Sequence, residues 1–344
     1  MMRNNRFKDR QSVLAYIDKN RIFFLFILVF LIMLIFAPRF FNAFNLTTIM
    51  RTMAMNATVA IGFTLILIIG QLDLSIGTII TFSAVVGLGL KEFLGFGLSV
   101  PVALLAGASI GFINGILVAK AKINSFIVTL GMMTILQGAI YTITGGNSIS
   151  LSTHDAFAVS DFLALMLIPL ITPRVLITIV LVIFASVFMK KTKIGRNFYM
   201  VGGNVQTAWL AGIDTDRYTI AAFVISGTMA AVGGILFAME SAAATLNMGD
   251  SSLMYVISAT IIGGTAMSGG KGGVFKTFMA ILTLEILYNG IILMGLGNEV
   301  KIFLAGLILA SVVLYEAYTA YRRELVLGQR AELLNELEAM KSRS

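Results

Sequence analysis

Long apolar windows with few charges recur along this chain, and they decide what it can fold into. A helix needs about 20 predominantly apolar residues to cross the hydrocarbon core of a bilayer, and most of the windows approach that length. The windows are Ile22–Pro38, Thr48–Gly70, Ser75–Leu90, Leu98–Ala119, Ile123–Ile143, Arg174–Met189, Tyr218–Met239, Leu253–Met267, Phe275–Leu296 and Ile302–Tyr318. This pattern predicts an all-α polytopic membrane protein with about ten transmembrane helices.

The composition excludes a soluble fold. Hydrophobic residues make up 58% of the 344 residues and charged residues only 12%, whereas a soluble domain carries about 25% charged residues. Such a chain folded in water would expose most of its apolar side chains. The absence of cysteine and the single histidine exclude a thiolate metal site and a histidine-pair metal site.

The net charge of +8 is explained by orientation rather than by nucleic acid. If the N-terminus lies in the cytoplasm, 20 of the 25 Lys and Arg residues fall on the cytoplasmic side of the windows. We therefore expect both termini to be cytoplasmic. The expected divisions are a cytoplasmic N-terminal segment 1–21, a transmembrane domain 22–318 with a cytoplasmic loop 190–217, and a cytoplasmic amphipathic tail 319–344. Residues Thr144–Asp161 are expected to form an outer loop.

Two windows, Ser75–Leu90 and Leu253–Met267, are short for a full crossing, and each adjoins a glycine-bearing polar stretch. Short, glycine-interrupted spans are typical of broken helices that line a transport pathway. Before the first window the sequence reads GQLDLSIG, and the residues of interest are Gly70, Asp73, Ser75 and Gly77. Asp73 is expected to cap the following half-helix by accepting the backbone N–H of Ser75 or Ile76. Solute contact, or a gate or coupling contact, are the alternatives.

The loop 190–217 contains signals for a short helix. Asn204 can N-cap a helix over Val205–Ala211, and Gly212 would end it in a left-handed cap. Trp209, the only tryptophan, lies on this helix. It is either a surface turn with an interfacial anchor or an exposed helix that fits a groove on a cytosolic partner.

Polar residues inside the windows are candidates for a solute pathway, because an ionisable or amide group in the membrane is costly to keep. Glu285 is the deepest acidic residue by its position in its window. The candidates for contact with solute hydroxyls are Asn56, Asn124, Gln137, Glu285 and Asn289. Hydrogen bonding between helices is the alternative for each amide. No phosphate-binding loop or catalytic motif is found, so we expect no enzyme activity and no catalytic or metal site.

Four stretches resemble the permease subunits of sugar ABC importers of the ribose, galactoside, arabinose and xylose type. They are GQLDLSIG, NGILVAKAKINSFIVTLG, GRNFYMVGGNVQTAWLAGIDTDRYTIAAFVISG and IGGTAMSGGKGG, and they occur in the family's order. Gln206, Thr207, Ala208 and Gly212 keep the spacing of the family's coupling loop, although Gln206, Thr207 and Trp209 depart from its usual residues. Leu253 and Tyr255 stand where the family usually carries acidic residues.

The resemblance implies a multi-pass permease of the bacterial cytoplasmic membrane that moves a monosaccharide inward. It implies a second permease copy or a paralogue, cytosolic ABC ATPase subunits that hold the ATP and Mg, and an extracytoplasmic solute-binding protein. The coupling helix with Asn204, Gln206, Ala208, Trp209 and Gly212 would then dock on the ATPase. Two alternatives stay open at this point. One is a permease for a nucleoside, a branched-chain amino acid or a signalling furanone, and the other is a stand-alone secondary transporter that uses groups such as Glu285.

Overall fold

The computed structural model of the chain describes residues 20–297, 299–311, 313–314, 317–318 and 321. The predicted N-terminal segment 1–21 therefore lies outside the described residues except for its last two. The predicted amphipathic tail 319–344 lies outside them except for Tyr321.

Within the described residues the chain forms fourteen helices and two short strands. The helices are α1 Asn20–Phe36, α2 Ala43–Ile68, α3 Ile76–Gly89, α4 Lys91–Leu94, α5 Phe96–Ala119, α6 Ser125–Thr144, α7 His154–Ala164, α8 Pro173–Lys191, α9 Lys193–Gly203, α10 Val205–Leu210, α11 Thr215–Ser241, α12 Asp250–Ile262, α13 Val274–Leu293 and α14 299–311. The strands are β1 Ile149–Ser150 and β2 Ala243–Ala244, which pair antiparallel.

The apolar windows become helices in the expected order. Six of the described helices, namely α2, α5, α6, α8, α11 and α13, are long and apolar enough to cross a membrane. The two short windows correspond to α3 and α12, with 14 and 13 residues. A mostly helical chain with several apolar helices is confirmed, as an all-α polytopic membrane protein requires, while the count of ten crossings stays a prediction.

Helix α11 is the centre of the bundle, and it packs against α2, α3 and α5. Small residues allow this close packing, since a Cβ at Gly111 of α5 would collide with the backbone of Phe223 of α11, and one at Gly234 of α11 would collide with the carbonyl of Ile80. Helices in a membrane associate through close contact of small residues because lipid provides no hydrophobic force between them. The glycines of α5 and α11 therefore fix how close the central helices lie.

We expect Gly111→Ala to lower the melting temperature of the purified protein in detergent. The added methyl group overlaps the carbonyl of Phe223, and overpacking of this kind costs about 1–3 kcal/mol. Gly131→Ala is the matched control, because Gly131 of α6 has nothing within 4 Å of the position its Cβ would take. Alanine favours a helix over glycine by about 1 kcal/mol, so the control should melt at the same temperature or higher. An equal loss in both variants would contradict this packing.

One end of the bundle, called here the basic end, holds the connection from α8 to α11 with Lys190, Lys191, Lys193, Arg196 and Arg217.

At the opposite end, the predicted outer loop Thr144–Asp161 contains secondary structure that was not predicted, namely β1 and the start of α7. There Arg174 is buried and forms an ion pair with Glu240, and its Nε donates to the carbonyl of Leu163 at 3.0 Å. Arg51 donates to the carbonyl of Ala164 at 2.7 Å. Cations at the last carbonyls of a helix are favourable, so this cluster ties α7 to α2, α8 and α11.

Candidate functional site

Helix α10 at the basic end forms as its sequence predicts. The Asn204 side chain accepts the backbone N–H of Thr207 at 2.8 Å, which confirms the N-cap. At the other end Gly212 has φ 77°. Its N–H donates to the carbonyl of Trp209 at 2.9 Å, and the next N–H, of Ile213, donates to Ala208 at 3.1 Å. This pair of bonds is a Schellman cap, so the prediction for Gly212 is confirmed, with the helix ending at Leu210 rather than Ala211.

The exposed side of α10 is apolar. Trp209 is 66% exposed, Leu210 73% and Val205 54%, whereas Ala208 is only 1% exposed and faces the protein. Gln206 is exposed beside them. We call Val205, Gln206, Trp209 and Leu210 the α10 face. An apolar cluster at the charged end of a membrane protein is typical of a surface that another protein covers.

Beside the α10 face lies a cleft between α9 and the start of α11, lined in part by Lys193, Asn197 and Arg217. Tyr199 of α9 donates its hydroxyl to the carbonyl of Gly272 at 3.3 Å. Burial raises the pKa of the Tyr199 hydroxyl above its usual value. A tyrosine hydroxyl is already protonated at neutral pH, and this shift keeps it a donor to higher pH.

Helix α9 joins α10 to the GQLDLSIG stretch through backbone contact. The Cα of Gly202, in the last turn of α9, faces the carbonyl of Ile68 so closely that a Cβ could not fit. The same carbonyl accepts the N–H of Gly270 at 2.8 Å. Gly269 lies against both Gly202 and Gly70. Three segments thus meet without intervening side chains, so displacement of α9 would reach the connection between α2 and α3 directly.

Asp73 in that connection is fully buried and organises the start of α3. Its Oδ1 accepts the N–H of Ser75 at 3.0 Å and the hydroxyl of Ser75 at 2.5 Å. The predicted bond to the Ser75 N–H is confirmed, although the residue in the N-cap position is Ser75 itself. The Ser75 hydroxyl in turn accepts Nδ2 of Asn114 from α5 at 3.0 Å.

Glycines and neighbouring helices complete this bend. Gly70 has φ 72°, a left-handed conformation that favours glycine, and Gly77 leaves room for the carbonyl of Gly249. The N–H groups of Leu72 and Leu74 donate to Ser125 and Thr129 of α6 at 3.2 and 3.1 Å. The GQLDLSIG stretch is therefore held by α5, α6 and the segment before α12.

The seam between α2 and α13 holds three of the five predicted pathway residues. Glu285 is buried, and its Oε1 accepts Nδ2 of Asn56 at 2.8 Å. Asn289 exchanges two amide hydrogen bonds with Asn45, at 2.8 and 2.9 Å. Each of the three side chains has a partner on the facing helix in this conformation, although Oδ1 of Asn56 is buried without one. Their contact with a solute stays a prediction.

Tyr255 lies beside this seam, at a position where the sugar importer permeases usually carry an acidic residue. Its ring packs against that of Tyr288 with centroids 5.5 Å apart, and its hydroxyl donates to the carbonyl of Ile281 at 2.9 Å. Asn124 lies elsewhere, exposed at the basic end, where its side chain caps α6 by accepting the N–H of Phe126 at 2.9 Å. The structure therefore does not bring Asn124 together with the other candidates.

A second polar region, absent from the sequence predictions except for Gln137, lies on the side of the bundle. Gln137 of α6 donates to Asn247 at 3.2 Å, just before α12. Asn247 and the first two residues of α12, Asp250 and Ser251, are exposed, as is Thr134 one turn from Gln137. We call Thr134, Gln137, Asn247, Asp250 and Ser251 the polar strip.

The polar strip lies about half-way between the two ends of the bundle. The N–H of Gly249 donates to Thr81 at 3.1 Å, and Thr81 belongs to the middle of α3. The chain therefore returns from β2 into the bundle before α12 begins. A carboxylate facing lipid at this depth costs at least about 2.5 kcal/mol. We therefore expect Asp250 to face water or another protein surface rather than lipid. The sequence hides it because the apolar window begins only at Leu253.

A sequence profile of the family described as "Branched-chain amino acid transport system / permease component" matches residues 45–313, more than three quarters of the chain. The chain belongs to this family. It is a transport permease with several apolar helices, hence a multi-pass membrane protein, and not an enzyme.

Curated relatives match the permease over most of its length. The ribose import permease protein RbsC of Haemophilus influenzae is 30% identical over 314 residues, which cover 90% of this chain and 96% of the relative. RbsC of Bacillus subtilis is 31% identical and covers 85% of this chain and 90% of its own length. The autoinducer 2 import system permease protein LsrC of Yersinia enterocolitica is 32% identical over 80% of this chain and 76% of its own. No solved structure was found to match the chain.

Proposed function

We propose that this permease moves a monosaccharide, meaning a pentose, a hexose or a related polyol, into the cytoplasm as the transmembrane subunit of an ATP-binding-cassette importer. The polar strip is the observation that carries this proposal, because it places hydrogen-bonding groups at mid-depth on an otherwise apolar flank. Relatives named as ribose and autoinducer 2 import permeases support a small hydroxyl-bearing solute.

The chemistry of the strip fits a hydroxyl-rich solute. The Asp250 carboxylate can accept two hydroxyl hydrogens, and the Gln137 and Asn247 amides can both donate and accept. A solute that lacks a matching hydroxyl leaves one of these groups unpaired, which is how such a site rejects it. One face cannot enclose a solute, so a second permease copy or a paralogue would close the pathway from the other side. The side chains at the seam could contact the solute only after their present hydrogen bonds break. These are Asn56, Glu285 and Asn289.

The work would come from a partner at the basic end. We infer that the α10 face docks on a cytosolic ATPase, which holds the ATP and Mg, and that α9 transmits its movement to the Gly70–Asp73 connection. The basic end would then face the cytoplasm of a bacterium, with both termini on that side. An extracytoplasmic binding protein would deliver the solute at the opposite end. The orientation of the chain in the membrane accounts for the basic charge, so we propose no nucleic-acid partner.

Uptake of labelled ribose by proteoliposomes that hold the complete importer tests this function. We expect uptake to require ATP and the ATPase subunits, to survive a protonophore, and to be competed by pentoses or hexoses. Uptake that proceeds without the ATPase, and that Glu285→Gln abolishes, would instead indicate a stand-alone secondary transporter. If leucine, a nucleoside or a furanone competes and simple sugars do not, the solute is not a monosaccharide. The assignment as an ABC importer would be unaffected by that result.

A further inference from the structure

An apolar groove runs along the bundle between α1, α12, α13 and α14. Leu25 and Val29 form one wall, Ile262 the inner end, and Leu287 and Leu307 the other wall. The hydroxyl of Thr283, which also lines the groove, already donates to the carbonyl of Met279 at 2.7 Å. The groove interior therefore offers almost only hydrocarbon to whatever fills it.

This side of the bundle exposes large apolar side chains. Phe24, Leu28 and Leu307, which border or line the groove, are 47%, 56% and 51% exposed. Side chains of this kind are stable at a surface only when lipid or another apolar surface covers them. Lipid acyl chains are the solvent available along this flank.

Among the described residues that line the groove, one is a cation, and it lies at the basic end. Arg21, in the first turn of α1, lines the groove, and its Nη2 lies 3.7 Å from the position that a Cβ on Gly264 would take. None of the ion pairs among the described residues involves Arg21. Its guanidinium can therefore turn its fork of N–H donors toward an anion at the level of the lipid headgroups.

We propose that the groove binds an anionic phospholipid of the leaflet at the basic end, with an acyl chain along α1 and the phosphate on Arg21. From Arg21 to Val29 the groove follows α1 for eight residues, or about 12 Å at 1.5 Å per residue. A groove of that length holds the part of one acyl chain nearest the headgroup. The remainder of the acyl chain stays in the bilayer. Basic pockets between transmembrane helices recognise anionic headgroups in this way. The inference does not depend on the transported solute.

Native mass spectrometry of the full-length permease released from detergent micelles tests this site. The probes are phosphatidylglycerol and phosphatidylcholine with identical acyl chains, so only the headgroup charge differs. We expect several-fold more phosphatidylglycerol than phosphatidylcholine to stay bound. Arg21→Gln should lower retained phosphatidylglycerol several-fold and leave phosphatidylcholine unchanged, with Arg21→Lys between the two. Arg196→Gln, which removes another arginine of the basic end outside the groove, is the matched control and should change neither.

Filling the groove is the second arm. Leu25 is 37% exposed on the groove wall, so Leu25→Trp can occupy the groove without entering the core, and it should lower the retention of both lipids. Equal retention of the two lipids by the unaltered permease, or no effect of Arg21→Gln, would overturn the proposal. So would a loss of dimer mass in Leu25→Trp with lipid unchanged, because the groove would then hold a second copy of the chain. Melting temperatures confirm that each variant is folded.

Discussion

A variant that combines Trp209→Ala with Leu210→Asp is expected to release the ATPase from the purified importer and to reduce solute uptake to background. These two side chains are the most exposed apolar groups of α10, at 66% and 73%. Truncation of an aromatic anchor such as a tryptophan at an interface costs about 2 kcal/mol or more. Leu210→Asp in addition places a charge in the covered surface, so we expect the double variant to lose at least about 3 kcal/mol, a factor of at least about 10² in Kd. Co-purification of the ATPase with the tagged permease measures the first effect, and uptake by proteoliposomes measures the second.

Met166→Asp is the control for this variant. Met166 is 52% exposed near the opposite end of the bundle, so its substitution makes a similar surface change where no ATPase docks. It should keep the ATPase. Ala208→Glu should release the ATPase by another route, since Ala208 is buried and a larger side chain would lift α10 from the protein. An ATPase that stays bound to the double variant would place the docking surface elsewhere.

The features that the sequence predicts correctly are local. Asn204, Thr207 and Gly212 lie within nine residues of one another, and their cap bonds depend only on backbone geometry that each residue type favours. The bond from the Ser75 N–H to Asp73 spans two residues and follows the same logic. The apolar helices are predicted because their length reflects the bilayer and not the fold.

The features that the sequence does not predict join distant segments. Gln137 and Asn247 are 110 residues apart, and Asn56 and Glu285 are 229 apart, so no spacing in the chain indicates either pair. Asp250 is missed for a further reason. The segment after β2 turns back into the bundle, and a hydropathy window assigns its polar residues to a loop outside the membrane. The contact of Gly249 with Thr81 places the start of α12 beside the middle of α3.

Asp250→Ala is expected to lower solute uptake by about 10² and to leave both the melting temperature and the retained ATPase unchanged. A hydrogen bond to a charged group is worth about 1.5–3 kcal/mol, so the loss of two hydroxyl contacts gives at least about 3 kcal/mol, or about two powers of ten. Asp250→Asn keeps one acceptor, so its uptake should lie between that of the unaltered permease and that of Asp250→Ala. Asp161→Ala is the matched control, because Asp161 is also exposed but belongs to α7. Uptake by the Asp250 variant equal to that of the control would remove the polar strip from the pathway.

Glu285 provides the contrast that separates a pathway group from a packing group. Its carboxylate is buried against Asn56 and not exposed. Glu285→Ala would leave the Asn56 amide without its partner, at a cost of about 1–3 kcal/mol in stability, whereas Glu285→Gln retains an acceptor at the same place. If Asp250 binds the solute, its substitution lowers uptake and leaves the melting temperature unchanged. If Glu285 joins α2 to α13, Glu285→Ala lowers the melting temperature. The reverse result would move the solute from the flank to the seam between α2 and α13. The strip would then be the surface through which two copies of the permease meet.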